Sequence, residues 1–400
     1  MKNDFDVIIA GAGIIGLAVA RALLLQELKL KVLVIEKEST LGAHSSGRNS
    51  GVLHAGFYYS PDSLKAKFCR DGNIEIRKLA ERHLIPVRDV GKVVVARNSQ
   101  ELSRLEMLFN RGQENGVKLE FREAQDLIEF EPLARTHGAF LWSPTTGVSD
   151  PNRIIQALAH EVRNLDGEIR LGAAIEIDAE YRLSLNNEIL TTKHFVNAAG
   201  SQADRLAHKY NMGLRYSMIP FMGVYRVAPS VQLPLRTLVY PVPHPLNPFL
   251  GVHFTLTSDY KVKIGPTAIP ILGREQYKFL EGWGFSDIKS TLTALRTMVH
   301  YGAHDLSEII RSEWPKILTS TLIREAADLV PSVASVKSWN RKPPGIRAQL
   351  IDLETGVLQQ DFIVEKDTRS THILNAVSPG WTSAIPFGEY ISKSVLESLP

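Results

Sequence analysis

The first thirty-six residues constrain the fold of this chain more than any other stretch. Asp6-Val-Ile-Ile-Ala10 is a short apolar run rich in β-branched residues, which reads as a buried strand. Gly11, Gly13 and Gly16 follow at G-x-G-x-x-G spacing. Gly11 permits the tight turn, Gly13 lets the backbone approach a pyrophosphate, and Gly16 allows a helix to pack closely on the strand. The pattern then predicts a helix through Ala18, Ala20 and Leu23 to about Leu28, its N-terminal amides and dipole facing the phosphates. Lys31-Val-Leu-Val-Ile35 reads as a second parallel strand ending at Glu36, where a carboxylate hydrogen-bonds ribose hydroxyls. Strand, glycines, helix, strand and acid stand in the order that a dinucleotide site requires.

Composition narrows what the rest of the chain can be. The 400 residues are 44% hydrophobic and 22% charged, so there is ample material for more than one core. A net charge of +3, spread without a basic block, gives no reason to expect nucleic acid. The single cysteine, Cys69, excludes an internal disulfide, a C-x-x-C redox pair and a Cys-rich metal site, and no metal is expected. One thiol in a chain this long fits a reducing, cytoplasmic compartment. The apolar stretch from Ile8 to Leu25 contains three glycines and Arg21, which argues against a signal peptide or a membrane span.

Beyond Glu36, Lys37 to Gly56 is rich in Gly, Ser, His and Asn and has no helical or strand period, so it reads as a loop. Ser45, Ser46, Arg48, Asn49 and Ser50 in that loop are placed to continue along the cofactor. Helices are expected at Ser63 to Arg82, with Leu64, Phe68, Ile74, Ile76 and Leu79 as its apolar face, at Gln100 to Asn115, and at Pro151 to Leu165 behind an Asp150 cap. Short strands are read at Val90 to Ala96, Glu168 to Leu171, around Ile175 beside Ala174, and at Leu183 to Leu185. Lys193 to Asn197 leads into Ala198-Ala199-Gly200, a second close backbone approach at the carboxyl end of a strand.

From Tyr216 the sequence turns β-rich and proline-punctuated, with strands expected at Val224 to Val227, Leu238 to Tyr240, Gly251 to Thr255 and Lys261 to Ile264. Helices follow at Asp287 to Val299, Glu308 to Arg311 and Ser320 to Leu329. Strands return at Val336, Arg347 to Asp352, Phe362 to Lys366 and His372 to Asn375. Ser378 to Ser383 forms a turn that opens a last helix to Leu399. The expected class is therefore α/β, an α+β composite. A Rossmann-like cofactor domain in three pieces (1–85, 150–215, 340–400) carries an inserted, mostly antiparallel β-rich substrate or cap domain (86–149, 216–339).

The fingerprint alone does not separate NAD from FAD. FAD is favoured because the motif begins at residue 11, no second G-x-G-x-x-G follows, and the cofactor half recurs late in the chain. Without a second nucleotide site or a C-x-x-C pair, electrons are expected to enter directly from an organic substrate.

The chain resembles the D-amino-acid-oxidase-like superfamily of FAD oxidoreductases through Val7 to Glu36, Asn197 to Gly200, Gly345-Ile-Arg-Ala348 and Ser378-Pro-Gly380. Within it, the chain is similar to the L-2-hydroxyglutarate oxidase/dehydrogenase family. Ser46 to Tyr59, Ser63 to Lys67, Tyr240 to Pro243, Gly251 to Thr255, Gly265 to Ala268, Gly345 to Gln349 and Asn375 to Pro379 carry that similarity across nearly the whole chain. The resemblance implies oxidation of a small 2-hydroxy dicarboxylate to the 2-keto acid with hydride passing to the flavin. It also implies cofactor contacts from Ala199, Gly200, Pro379, Gly380, Trp381 and Thr382 together with Ala174. The sequence departs from the family pattern at Val377, a proline in the family, at Gly380-Trp381 in place of an alanine pair, and at Thr267 in place of an asparagine.

Oxidising an alcohol beside a carboxylate needs a cation for the carboxylate and a base for the hydroxyl proton. Arg347 is the expected cation, since a guanidinium grips a carboxylate bidentately. His54 and His253 are the candidate bases, with the other left to bind substrate, because histidine titrates nearest neutrality. Tyr59 is a further substrate-side candidate, and Tyr58, Lys65 and Tyr240 supply polar contact or packing. Sibling activities (amine or amino-acid oxidation, or a glycerol-3-phosphate-type dehydrogenation) and a non-catalytic flavin module are the competing expectations. The electron acceptor is expected to be oxygen or a membrane quinone, the latter implying peripheral contact with the inner face of a membrane. The aromatic stretch from Phe279 to Phe285, including Trp283, is expected to pack in a core rather than to face lipid.

Overall fold

The structure, a computed structural model, describes residues 4–178, 181–186, 188–243, 249–278, 281–282 and 284–399. Its centre is a six-stranded sheet in which Phe5–Ala10 lies between Thr192–Asn197 and Val32–Glu36, all parallel. Glu168–Leu171 extends one side and Ser370–Asn375 the other, with Ile363–Lys366 antiparallel at the edge. Val7, Ile8 and Ile9 are fully buried, as expected of a parallel strand covered on both faces. The helix Ile14–Gln26 buries ten of its thirteen residues, so it has no solvent face. It stops two residues before Leu28, which is exposed beyond an extended Glu27. The last helix, Gly380–Ser398, crosses it where Gly388 faces Ala18; a Cβ on Gly388 would lie 2.6 Å from the Ala18 carbonyl carbon.

Side-chain caps start two of the helices, the one at Asp150 as expected from sequence. Ser63 Oγ accepts from the Ala66 amide (3.1 Å) at the start of Leu64–Arg82. Asp150 Oδ1 accepts from Asn152 N (2.9 Å) at the start of Pro151–Asn164. Phe68, Ile76 and Leu79 are buried on the first of these helices, but Ile74 is half exposed, one position off the apolar face.

A second, eight-stranded sheet stands over the first. Its order is Asn340–Arg341, Arg226–Pro229, Lys261–Gly265, His253–Leu256, Leu238–Pro241, Lys92–Val95, Ala139–Ser143 and Glu120–Glu123. Only Leu238–Pro241 with Lys92–Val95 is parallel, and that pairing joins residues 146 positions apart in the chain. Between the two sheets lies a three-stranded one of Ile269–Pro270, Tyr216–Gly223 and Gly345–Asp352. Gly345–Asp352, assigned from sequence to the cofactor domain, thus pairs with the opening strand of the β-rich segment, Arg347 opposite Phe221.

Three further expectations are corrected. Val224 and Tyr225 fall outside the strand, which begins at Arg226. Val336 caps the 3-10 turn Pro331–Ser335, and the strand near it is Asn340–Arg341. Phe285 opens the helix Phe285–Tyr301 and is 85% exposed, so it does not pack in a core; Phe279 and Trp283 lie outside the described residues. Among the described residues no helix is long and apolar enough to cross a membrane.

Candidate active site

The carboxyl ends of the central strands open into one cavity of about 500 Å³, roofed by the second sheet. At its floor the glycine turn behaves as the sequence requires. Gly11 adopts φ +104°, and a Cβ there would sit 2.5 Å from the Ala198 carbonyl oxygen. A Cβ on Gly13 would meet Ser46 Oγ at 3.0 Å. Gly16 is not part of the wall; its Cβ would fall 2.0 Å from Gly11 O, so it serves the packing of helix on turn. Glu36 Oε2 accepts from Ala12 N (3.0 Å) and Oε1 from Glu38 N (3.0 Å), which fixes the carboxylate at the end of the second strand.

The polar loop lines the same cavity, but much of its hydrogen bonding holds its own shape. Ser46 Oγ accepts from the Ile14 amide (3.0 Å), covering the helix N-terminus. Ser45 Oγ donates to Ile346 O (2.8 Å), tying the loop to the strand of Arg347. Asn49 Nδ2 donates to Ser46 O (2.6 Å) and its Oδ1 accepts from Gly51 N (2.8 Å). Arg48 lies over the Tyr277 ring, 4.1 Å from its centroid. Ser50, Ala174, Ala199, Gly200, Pro379, Gly380, Trp381 and Thr382 complete the wall. Thr382 Oγ1 accepts from His54 N (3.2 Å) and donates to Val52 O (3.1 Å), so the last helix is stitched to the loop that carries His54.

One strap over the cavity had no sequence signal. Arg274 makes a buried ion pair with Asp204, Glu275 accepts from Lys37 Nζ (2.9 Å) and Gln202 Nε2 (3.0 Å), and Tyr277 hydroxyl bonds His44 Nδ1 (2.8 Å). Glu38, His44 and Glu275 converge on the Lys37 ammonium, which fills that cluster.

His253 from the roof, Arg347 from the three-stranded sheet and His54 from the loop after Leu53 all line this cavity. His253 Nδ1 bonds the Gly251 carbonyl at 2.8 Å. A carbonyl only accepts, so Nδ1 carries the proton and Nε2 keeps its lone pair. Burial lowers the His253 pKa to about 3, and Lys92, Arg347 and Lys263 add to the fall, so the ring is neutral. His54 is lowered in the same direction, chiefly by burial and then by Lys92, His253 and Arg347, and its buried Nδ1 has no partner among the described residues. Arg347 lies over the Phe249 ring at 5.1 Å, and no carboxylate among the described residues pairs with it. Tyr59 stands outside the wall; its ring faces Lys65 at 5.9 Å, and burial raises its phenol.

The residues fit a flavin dinucleotide on their own geometry: a cradle that a single Cβ would fill, an acid at the second strand, and a cationic and imidazole end large enough for a ring system and a small acid. Fold and site together define a flavoprotein oxidoreductase. The chain belongs to the FAD dependent oxidoreductase family, whose model matches residues 6–394, and FAD is its cofactor. Among curated proteins it is 33% identical to an L-2-hydroxyglutarate dehydrogenase of Indibacter alkaliphilus, covering 98% of this chain and 99% of that one. It is 32% identical to the mitochondrial L-2-hydroxyglutarate dehydrogenase of Caenorhabditis elegans, over 98% of this chain and 93% of that one. Among solved structures, the FAD-bound, dithionite-reduced L-α-glycerophosphate oxidase of Mycoplasma pneumoniae superposes with a TM-score of 0.73 at 24% identity, over 100% of this chain and 95% of that one. Glycine oxidase of Geobacillus kaustophilus gives 0.72 at 20% identity, over 98% of this chain and 95% of that one. These two likenesses establish the fold.

Proposed function

We propose that the protein oxidises L-2-hydroxyglutarate to 2-oxoglutarate. The observation that carries this reading is the pairing, in one cavity, of a guanidinium with no carboxylate partner among the described residues and a neutral imidazole with a fixed tautomer. An unpaired buried cation is costly unless a ligand supplies its counter-charge, and a substrate carboxylate does so through two parallel hydrogen bonds to Arg347. His253 Nε2 then accepts the hydroxyl proton, as its Nδ1–H is committed to Gly251 O. His54, whose backbone N–H is held by Thr382 Oγ1, lines the same cavity from the last-helix side. FAD, when bound, supplies the acceptor for the hydride leaving the substrate carbon. Gly11, Gly13, Glu36 and the backbone of Ala198 to Gly200 would hold its dinucleotide portion, and the start of the last helix its ring end. Burial lowers Lys65 to about 8 and Lys92 and Lys263 to about 7, so each is poised to gain a proton beside a bound dianion, which suits a dianion over a neutral amino acid.

The test is anaerobic mixing of the holoenzyme with L-2-hydroxyglutarate, glycine, sarcosine and glycerol 3-phosphate in turn. Bleaching by the first alone supports the reading; bleaching by glycine or sarcosine assigns an amine oxidase instead, and no bleaching by any acid a flavin-binding module. Reoxidation by oxygen or by a soluble quinone then separates the two acceptors.

A further inference from the structure

Lys92 opens a fully buried strand and is itself 0% exposed, yet its Nζ has no hydrogen-bond partner among the described residues. The ammonium lies in a cage of three rings, 4.5 Å from the centroids of Phe57 and Tyr58 and 4.9 Å from that of Tyr240. The Tyr240 ring in turn stacks on His253, with centroids 3.9 Å apart at 26°. Lys92 thus stands one ring behind the proposed base, outside the cavity wall. Cation–ring contacts recover part of the cost of burying a charge, but an ammonium without an acceptor or an acid remains expensive. A position that only needed filling would be served better by an apolar side chain.

We propose that Lys92 is a positioning residue for a dicarboxylate substrate: from behind Tyr240 it supplies the buried positive charge that answers the substrate's second carboxylate, and through the same ring it fixes His253. This rests on the substrate assignment above, in which Arg347 takes one carboxylate. The titratable groups facing Lys92 are Tyr58 on the loop, Cys69 on the helix Leu64–Arg82, Tyr240 and His253 on adjacent strands, and His54. The facing strand contributes Ser143, which carries no charge. No acid is among them. Burial accordingly lowers the Lys92 pKa to about 7, so the free protein is ready to take up a proton when a dianion arrives.

The experiment uses the oxidised holoenzyme and 2-oxoglutarate as probe, with calorimetry at pH 8 in two buffers of different ionisation enthalpy. The parent takes up a proton fraction on binding. Lys92→Met binds about tenfold more weakly, the scale of one charge acting through a partly screened interior, and takes up a smaller proton fraction than the parent, what remains coming from Lys65 and Lys263. Lys92→Arg, charged at any working pH, restores affinity while keeping that smaller uptake. A Lys92→Met protein with parental affinity and parental uptake overturns the role of Lys92 alone. A parent that does not bind 2-oxoglutarate overturns the substrate assignment, and the role of Lys92 falls with it.

Discussion

Tyr240 and His253 stack face to face, 3.9 Å between ring centroids, with His253 Nδ1–H held by Gly251 O. Ring and carbonyl together fix both the tautomer and the plane of the imidazole, so Nε2 is a base whose direction does not need to be found anew in each turnover. Replacing His253 by Asn, which keeps a polar side chain of similar size, leaves the flavin bound and lowers kcat by about 10²- to 10⁴-fold. Parental turnover in that variant would move the base to His54.

Arg347 should act on binding. Arg347→Met removes the charge and both hydrogen bonds, weakening substrate binding by more than ~2 kcal/mol, read as a KM at least thirtyfold higher. Arg347→Lys recovers little, since an ammonium lacks the planar fork. Full recovery by lysine would show that charge alone is recognised there.

The cofactor cradle is sensitive to single carbons. Gly11→Ala places a Cβ 2.5 Å from Ala198 O at φ +104°, a strain on the order of 1–3 kcal/mol before any clash is counted. The variant should purify with little or no flavin absorbance. Gly284→Ala, outside the cavity wall and with nothing within 4 Å of its Cβ, should purify yellow. Equal flavin content in the two variants would contradict the placement of the cradle.

Sequence legibility divides along the range of the interactions involved. The strand Phe5–Ala10, its glycine turn, the helix from Ser63 and the cap at Asp150 are local patterns that the structure repeats, and the strand read at Gly251 to Thr255 is present but begins at His253. Arg347 was visible as a residue, but its strand's partner, Tyr216–Gly223, was not, because antiparallel register across more than a hundred residues leaves no local mark. Lys92 was missed although a signal existed: a lysine heading the run Val93-Val-Val-Ala96 is a charge entering a buried strand. The strap of Arg274, Glu275 and Tyr277 gave no signal, since its bonds to Asp204, Lys37 and His44 exist only in three dimensions.

Acid stability depends on histidines held neutral. Burial lowers His194 and His372 to about 4 and His253 to about 3. Each has a folded pKa below the ordinary value near 6.5, so the unfolded chain binds more protons between those limits and stability falls as pH falls through the window. From pH 7 to pH 5 His194 and His372 should each cost about 2 kcal/mol. Denaturant titrations of the parent and of His372→Asn at both pH values check this: the variant should lose less stability on acidification. An equal loss in both would remove His372 from the account.

The most direct measurement is the visible spectrum of the holoenzyme mixed without oxygen with L-2-hydroxyglutarate. The arrangement of Arg347, His54 and His253 around one cavity predicts full bleaching of the flavin in the parent and, in Arg347→Met, bleaching only at far higher concentrations of the acid. A flavin that stays oxidised with L-2-hydroxyglutarate, yet bleaches with glycine, sarcosine or glycerol 3-phosphate, would contradict it.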